Sequence, residues 1–465
     1  MKTKLLALTI LLLHPTWLIG QISSVETETP TRTQNQSPQV DTQRTKLWPE
    51  VKWPSTWNAD PEQAGYPVLE HAQHFNVHVA SVKSGSYNHH PQITRINDRF
   101  IALWSNHLSG EDGPGQKVIG ATSLDGENWQ SLGTLFDSPD QVRQSFENGR
   151  FLTAAPFVRV RDRTFAVAIL TESVGYGKID TPITGTPPSV TKTAEFGKLI
   201  LKAHGYLIRE VNDPNQLGPT FWFGETKPEP INGFDSFDTF DKTPDVNVSR
   251  DIAFEIFQQL THPVTLCPWD FNRDETESVA ADGTFLCEPA TLIGPEQTLV
   301  RYMRDLNGSK KLYVKFSRDF GESWSPATKT VIPDAPSKSR VGQFSNGTKF
   351  LIGNQVIDQT MYKRDPLTIG LSRDGVNFEE AYSIRWKVPR FKVPTQQKKS
   401  DGRGWGFQYP DCEIHDRNLW VIYSVNKECI DVSRVPIEEL LRSPNEPGSN
   451  QASRQPSLKS HGLTR

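Results

Sequence analysis

Three short stretches of this 465-residue chain repeat one pattern: SLDGENW (Ser123–Trp129), SRDFGESW (Ser317–Trp324) and SRDGVNF (Ser372–Phe378). Each follows a run of alternating apolar residues, VIGATS, LYVKFS and LTIGLS, which is the period of a half-buried strand. In a β-hairpin the chemistry of such a turn is direct. The Ser and Asp side chains bond turn amides, Gly supplies a positive φ, and the closing aromatic packs beneath the turn. Three such turns demand strand–turn–strand units far apart in one chain, and so an all-β fold. Composition agrees: Gly (32) and Pro (34) recur throughout, aromatics reach 10%, and helix-favouring runs are scarce.

The repeat resembles the Asp-box (BNR repeat) of sialidase-like β-propellers, in which four-stranded antiparallel blades surround a channel. Asp319 and Asp374 lie 55 residues apart, about one blade, and Asp125 and Asp319 lie 194 apart, close to four. Residues 50–441 are therefore expected to form a β-propeller of four-stranded blades, seven by this spacing or six with long insertions. The Asp-box residues sit in peripheral turns and carry structure, not catalysis.

The ends read differently. MKTKLLALTILLLHPTWLIGQ has two lysines before a short apolar run and a small residue at Gly20, the pattern of a secretory signal peptide over residues 1–20. A secreted or periplasmic protein is expected, with no membrane span once the signal is removed. Residues 21–49 and 442–465 are polar and rich in Ser, Thr, Gln and Pro, as disordered segments are. Export would put the four cysteines in an oxidising compartment, where two local disulfides are expected, Cys412–Cys429 and Cys267–Cys287. The alternative is a structural metal ion, zinc on His262, Cys267 and Cys287. A net charge of −3 gives no basic surplus for nucleic acid.

Six of the eleven histidines fall between His71 and His107, two of them adjacent in SYNHHPQI. A sialidase would need three arginines on the substrate carboxylate, an early Arg-Ile-Pro-type motif, a Tyr–Glu nucleophile pair and an acid Asp. The early position is taken here by the histidine stretch. The segment YNHHPQITRINDRFIALWSNHLSGEDGPGQKVIGATSLDGENW is similar to the first blade of the propeller-type ulvan lyases and related rhamnose–glucuronate-cleaving enzymes. GYLIREVNDPNQLGPTFWF, RDPLTIGLSRDG and GWGFQYPDCEIHDRNLWVIYSVNKECIDVSRVPIEEL are similar too, so the resemblance spans most of residues 85–440.

That resemblance implies a polysaccharide lyase acting on a uronate linkage by β-elimination. A base takes the C5 proton, an acid meets the leaving oxygen at C4, and a cation holds the carboxylate. No cofactor is needed. Carried over, the catalytic positions are His90 (or its neighbour His89), His107, Arg209, and Tyr176 with Tyr206 as competitor. His89, Arg364, Trp405 and Tyr409 are expected to bind substrate. A glycoside hydrolase would instead need two facing carboxylates, and Glu172, Glu288, Glu413 and the Glu111–Asp112 pair are available. The third reading is a non-catalytic glycan-binding propeller. The expected partner is an anionic polysaccharide or glycan, and the expected state a monomer.

Overall fold

The structure, a computed structural model, describes residues 48–54, 65–140, 149–177, 198–213, 217–223, 250–269, 277–306, 308–356, 363–393 and 405–442. The expected signal peptide, and nearly all of the expected linker and tail, lie outside the described residues.

The first strand, β1 (Gln73–His78), does not pair with the strand next in sequence. Blade one is β2 (Tyr87–Ile96), β3 (Arg99–His107), β4 (Lys117–Ser123) and β5 (Gln130–Phe136). Blade two is β6 (Gly149–Val160), β7 (Arg163–Gly177), β8 (Lys198–Glu210) and β9 (Thr220–Phe223). Helix α1 (Arg250–Thr261) precedes blade three, in which a short β10 (Glu277–Val279) is added beside β11 (Phe285–Ile293). That blade continues with β12 (Leu299–Asp305), β13 (Lys311–Ser317) and β14 (Thr328–Pro333). Blade four is β15 (Arg340–Gln343), β16 (Lys349–Gly353), β17 (Leu367–Ser372) and β18 (Phe378–Arg385). Blade five holds β19 (Phe407–His415), β20 (Asn418–Val425) and β21 (Cys429–Pro436), and takes β1 as its fourth strand.

The fold is thus an all-β propeller, and β1 against β21, with Gln73 opposite Arg434, closes the ring. Cores lie between blades, where two sheet faces meet. Leu103 and Val118 of blade one pack with Leu152, Ala168 and Leu170 of blade two. Trp104 packs with Ile422 and Val432 of blade five. Val300 and Phe316 pack with Leu351 and Phe378 across blades three and four.

The three repeated turns join the third and fourth strands of blades one, three and four. In the first, Asp125 Oδ1 accepts from the amides of Glu127 and Asn128 at 2.9 and 2.8 Å. Trp129 Nε1 returns to Gly126 O at 2.8 Å, and Gly126 has φ 74°. A side chain at that glycine would also meet the Trp420 ring of blade five at 2.4 Å.

Two expectations need correction. The described residues form five blades, not seven or six. The interval from Asp125 to Asp319 covers two blade steps, because β7 and β8 run 15 and 13 residues and a long connection carries α1. Helix α1 packs on blade two, with Ile256 and Leu260 against Val158 and Val160. The expected disulfides are also not formed: all four cysteines are thiols. Cys412 on β19 and Cys429 on β21 are separated by β20, where they pair with Val421 and Val425. Two strand spacings, about 9–10 Å, exceed the reach of a disulfide.

Candidate functional site

Four inner strands share a local fault in their ladders. The register shifts between His89 and Gln92 in β2, Ala155 and Val158 in β6, Cys287 and Ala290 in β11, and Gln408 and Asp411 in β19. Each bulge contains a proline, in the sequences NHHPQ, TAAPF, LCEPA and FQYPD. Proline cannot donate to the ladder, so it settles where pairing is already broken. In three of the four, the residue before it has positive φ: His90 (56°), Glu288 (54°) and Tyr409 (56°). Such conformations cost a non-glycine residue of order 1–3 kcal/mol and gather at functional sites. A bulge re-aims a side chain, and these three meet near the propeller axis.

The rings form a tight group. Centroids are 4.1 Å apart for His89 and Tyr409, 4.6 Å for His89 and His90, and 5.2 Å for His90 and Tyr409. Trp269, from the segment after α1, lies 5.0 Å from His90. Tyr409 Oη donates to Glu288 Oε1 in a short hydrogen bond. Arg304, on β12 beside β11, sends Nη1 to both Glu288 oxygens at 2.8 and 2.9 Å and to Tyr409 Oη at 2.8 Å. The Arg364 guanidinium stands 5.7 Å from the Tyr409 ring, with Nη2 on Pro336 O and Nη1 on Gln408 Oε1. Nε of Arg304 and Nε of Arg364 are both buried with no partner among the described residues.

The electrostatics follow from burial and pairing. Burial alone would raise the Glu288 carboxyl, but the Arg304 charge and the Tyr409 and Arg304 hydrogen bonds outweigh it and hold it below its usual range. Burial, then the Glu288 charge, push the Tyr409 phenol well above its usual value, so it rests protonated. Burial also lowers both imidazoles, His90 to about 4, so both are neutral at pH 7. His89 Nδ1 lies 2.6 Å from Ser424 Oγ and His90 Nδ1 3.3 Å from Ser105 Oγ. Near the arginines, the Asp334 carboxyl is buried with no hydrogen-bond partner among the described residues, and burial raises it well above the ordinary range.

The site residues read from sequence divide between this group and other places. His89, His90, Arg364 and Tyr409 belong to it. His107 lies at the end of β3, where Nδ1 accepts from the amides of Ser109 and Gly110 and Nε2 faces Pro114 O at 3.1 Å. Both nitrogens thus hold the loop that carries Glu111. Arg209, on β8, bonds Gly218 O and Leu135 O in blade two, and Tyr206 is buried in that blade's core. Tyr176 pairs with Leu199 in the β7–β8 ladder, and its side chain lies outside the described residues. Trp405 is 40% exposed and meets Phe391 edge-on at 5.4 Å. Among the carboxylates, Glu172 pairs with His204 in blade two and Glu413 with Arg159, while Glu288 and Glu111 adjoin the histidines. The zinc alternative on His262, Cys267 and Cys287 is not assembled: among the described residues the only three-donor group is His89, His90 and Glu111.

A cavity of about 310 Å³ adjoins two of the bulges, with Pro156 and Pro289 in its lining. Lys338, Arg340, Asp411, Glu413 and Arg159 line it.

A family model for the BNR repeat-like domain matches residues 260–419. A solved sialidase superposes with a TM-score of 0.55 at 20% identity, over 80% of this chain and 33% of that one. The chain has the sialidase-like BNR propeller fold. It spans about one-third of the length of that sialidase. The Ruminococcus gnavus intramolecular trans-sialidase in complex with oseltamivir carboxylate aligns over 80% of this chain and 99% of its own, at 12% identity and a TM-score of 0.44. Trypanosoma rangeli sialidase in complex with sialic acid aligns over 81% and 60%, at 12% identity and 0.41. No curated protein sequence matches the propeller.

Arg304 and Glu288 were not singled out as a pair from sequence. Glu288 stood only among the available carboxylates. The signal that marks the site is the recurrence of a proline inside the inner strand, in HHP, AAP, CEP and QYP, each at the break in its ladder.

Proposed function

We propose that this protein is a glycan-acting enzyme, a glycoside hydrolase for an acidic sugar. The observation that carries the reading is the Tyr409–Glu288 hydrogen bond with Arg304 on both partners. A buried tyrosine bonded to a carboxylate is a nucleophile with its base in place. Glu288 takes the phenolic proton, Tyr409 Oη bonds to the anomeric carbon as the glycosidic C–O bond breaks, and the departing oxygen takes a proton from solvent water. A water then bonds to the anomeric carbon as the bond to Tyr409 Oη breaks, the phenolate recovers its proton from Glu288, and the water's surplus proton returns to solvent. Arg304 Nη1, already on Tyr409 Oη, offsets the charge that develops there. The buried, unpartnered Nε groups of Arg304 and Arg364 suit a sugar carboxylate, since guanidinium groups favour that partner. A tyrosine–glutamate pair and two arginines match the sialidase requirement in part. His89 and His90 stand where its early arginine motif would be.

One observation favours β-elimination instead. His90 is a neutral imidazole beside Tyr409, and such a ring can accept a C5 proton. Product chemistry separates the readings. The protein is incubated with sialylated glycans, ulvan and rhamnose-capped glycans, and followed for reducing sugar, free sialic acid and ultraviolet absorbance. Released saturated sugar that falls about 10³-fold or more in Tyr409→Phe and Glu288→Gln supports the hydrolase. A rising absorbance from a C4–C5 double bond moves the assignment to a lyase. Binding without any product refutes both and leaves the glycan-binding propeller.

A further inference from the structure

We infer that His89, His90 and Glu111 form a binding site for a divalent transition-metal ion of the zinc class, beside Tyr409. The donor atoms of the three side chains all lie within 4.8 Å of one another. Ligands on one zinc at about 2.0–2.1 Å stand about 3.4 Å apart in a tetrahedron, so the widest pair needs to close by up to about 1.4 Å. Glu111 sits on the loop after β3, the one donor of the three outside a strand.

Two further observations point to an ion and not to a plain polar cluster. His89 is fully buried, yet its Nε2 has no hydrogen-bond partner among the described residues. A bare buried imidazole nitrogen costs about 1–3 kcal/mol unless something fills its lone pair. The opposite nitrogen of each ring is fixed from outside the cluster: His89 Nδ1 by Ser424 Oγ and His90 Nδ1 by Ser105 Oγ. Metal-ligating histidines are oriented in this way, with the second nitrogen on an outer acceptor and the first turned to the ion. Two imidazoles and a carboxylate are a donor set that zinc accepts, with a fourth position open.

Glu111 is neutralised here by the ammonium of Lys427, which arrives on the β20–β21 turn. The ion and this ammonium compete for one carboxylate. The chemistry at the fourth position is that of a carboxylate or water oxygen. If the hydrolase reading holds, the ion supplies the positive charge that the histidine pair lacks in place of a third arginine. That role rests on the proposed function, but binding of the metal does not.

The test uses the untagged full chain, stripped with chelator and dialysed against Zn²⁺ or Co²⁺ alone. Bound metal is counted by elemental analysis, and Co²⁺ gives the absorption of its coordination. The expected result is one ion per chain, lost about 10–100-fold in affinity in Glu111→Gln and in His90→Gln, each checked for an unchanged melting temperature. Lys427→Met should bind the ion about tenfold more tightly, a gain that misfolding cannot imitate. Less than one-tenth of an equivalent in the full chain overturns the inference. So does zinc that persists in both Glu111→Gln and His90→Gln. None of these readings depends on glycan turnover, so an inactive protein would leave the metal result intact.

Discussion

Replacing Arg304 with methionine gives a direct measure of what holds the Tyr409–Glu288 pair. Arg304 Nη1 meets both carboxylate oxygens at 2.8 and 2.9 Å, and the Glu288 side chain is 8% exposed. At an effective dielectric near 20, a pair about 4 Å apart is worth about 4 kcal/mol, within the range of about 3–5 kcal/mol for breaking a buried pair. The variant can escape by protonating Glu288. Folding must then take up a proton that the unfolded chain, with a carboxyl near 4.3, has released. The uptake costs about 3.7 kcal/mol at pH 7 and about 1 kcal/mol at pH 5. The sign follows from burial left unopposed. The folded pKa of Glu288 rises above its unfolded value, so the variant's stability falls as pH rises. In the wild type the same group is held low and stays ionised across this window. Urea unfolding should therefore show Arg304→Met destabilised by about 4 kcal/mol at pH 7 and by about 3 kcal/mol less at pH 5. Adding Glu288→Gln should restore most of the loss. A deficit equal at both pH values, or a double variant no better than the single one, refutes the account.

Two further outcomes follow from buried and capping carboxylates. The Asp334 carboxyl has a raised folded pKa and no hydrogen-bond partner among the described residues, so it lowers stability as pH rises above about 4. Asp334→Asn should gain about 1–3 kcal/mol at pH 7 and little at pH 4, by urea midpoints, and a loss at pH 7 would count against a protonated Asp334. Asp374 Oδ1 accepts from Val376 N, Asn377 N and Ser372 Oγ, and these bonds hold its carboxyl below the usual range against a partial burial that would raise it. Asp374→Ala should cost about 1–2 kcal/mol at pH 7, discounted for exposure, with the difference shrinking as pH falls below about 4 and Asp374 protonates in the wild type. A difference constant down to pH 3 would argue against the turn bonds as its source.

The peripheral turns were legible because their chemistry is local. Ser, Asp, Gly and an aromatic within seven or eight residues specify one hairpin, whatever surrounds it. Blade number was not legible, because counting from Asp125 to Asp319 assumes blades of equal length, and nothing in the period reveals the long strands β7 and β8 or helix α1. The site was half legible. His89, His90, Arg364 and Tyr409 stand out as a histidine pair, an arginine in the RDP segment before a strand, and an aromatic cluster. The partnership of Glu288 with Tyr409 spans 121 residues and depends on two bulges facing each other across the axis. Strand alternation predicts which face a side chain takes, and a bulge breaks that alternation at the position that matters. Arg209 shows the converse: its motif reads as functional, yet its Nε and Nη1 bond the carbonyls of Gly218 and Leu135 within the framework.

Closing the ring with β1 also sets a schedule. Gln73 finds its partner Arg434 only after some 360 more residues have been made. At about 5–20 residues per second, that leaves β1 without its neighbour for about 20–70 s, while blades one to four can already form. Through that interval β21 does not exist and blade five cannot be assembled, so the nascent chain exposes an unpaired strand and the open flank of blade one. The last strand made is the one that ends the wait.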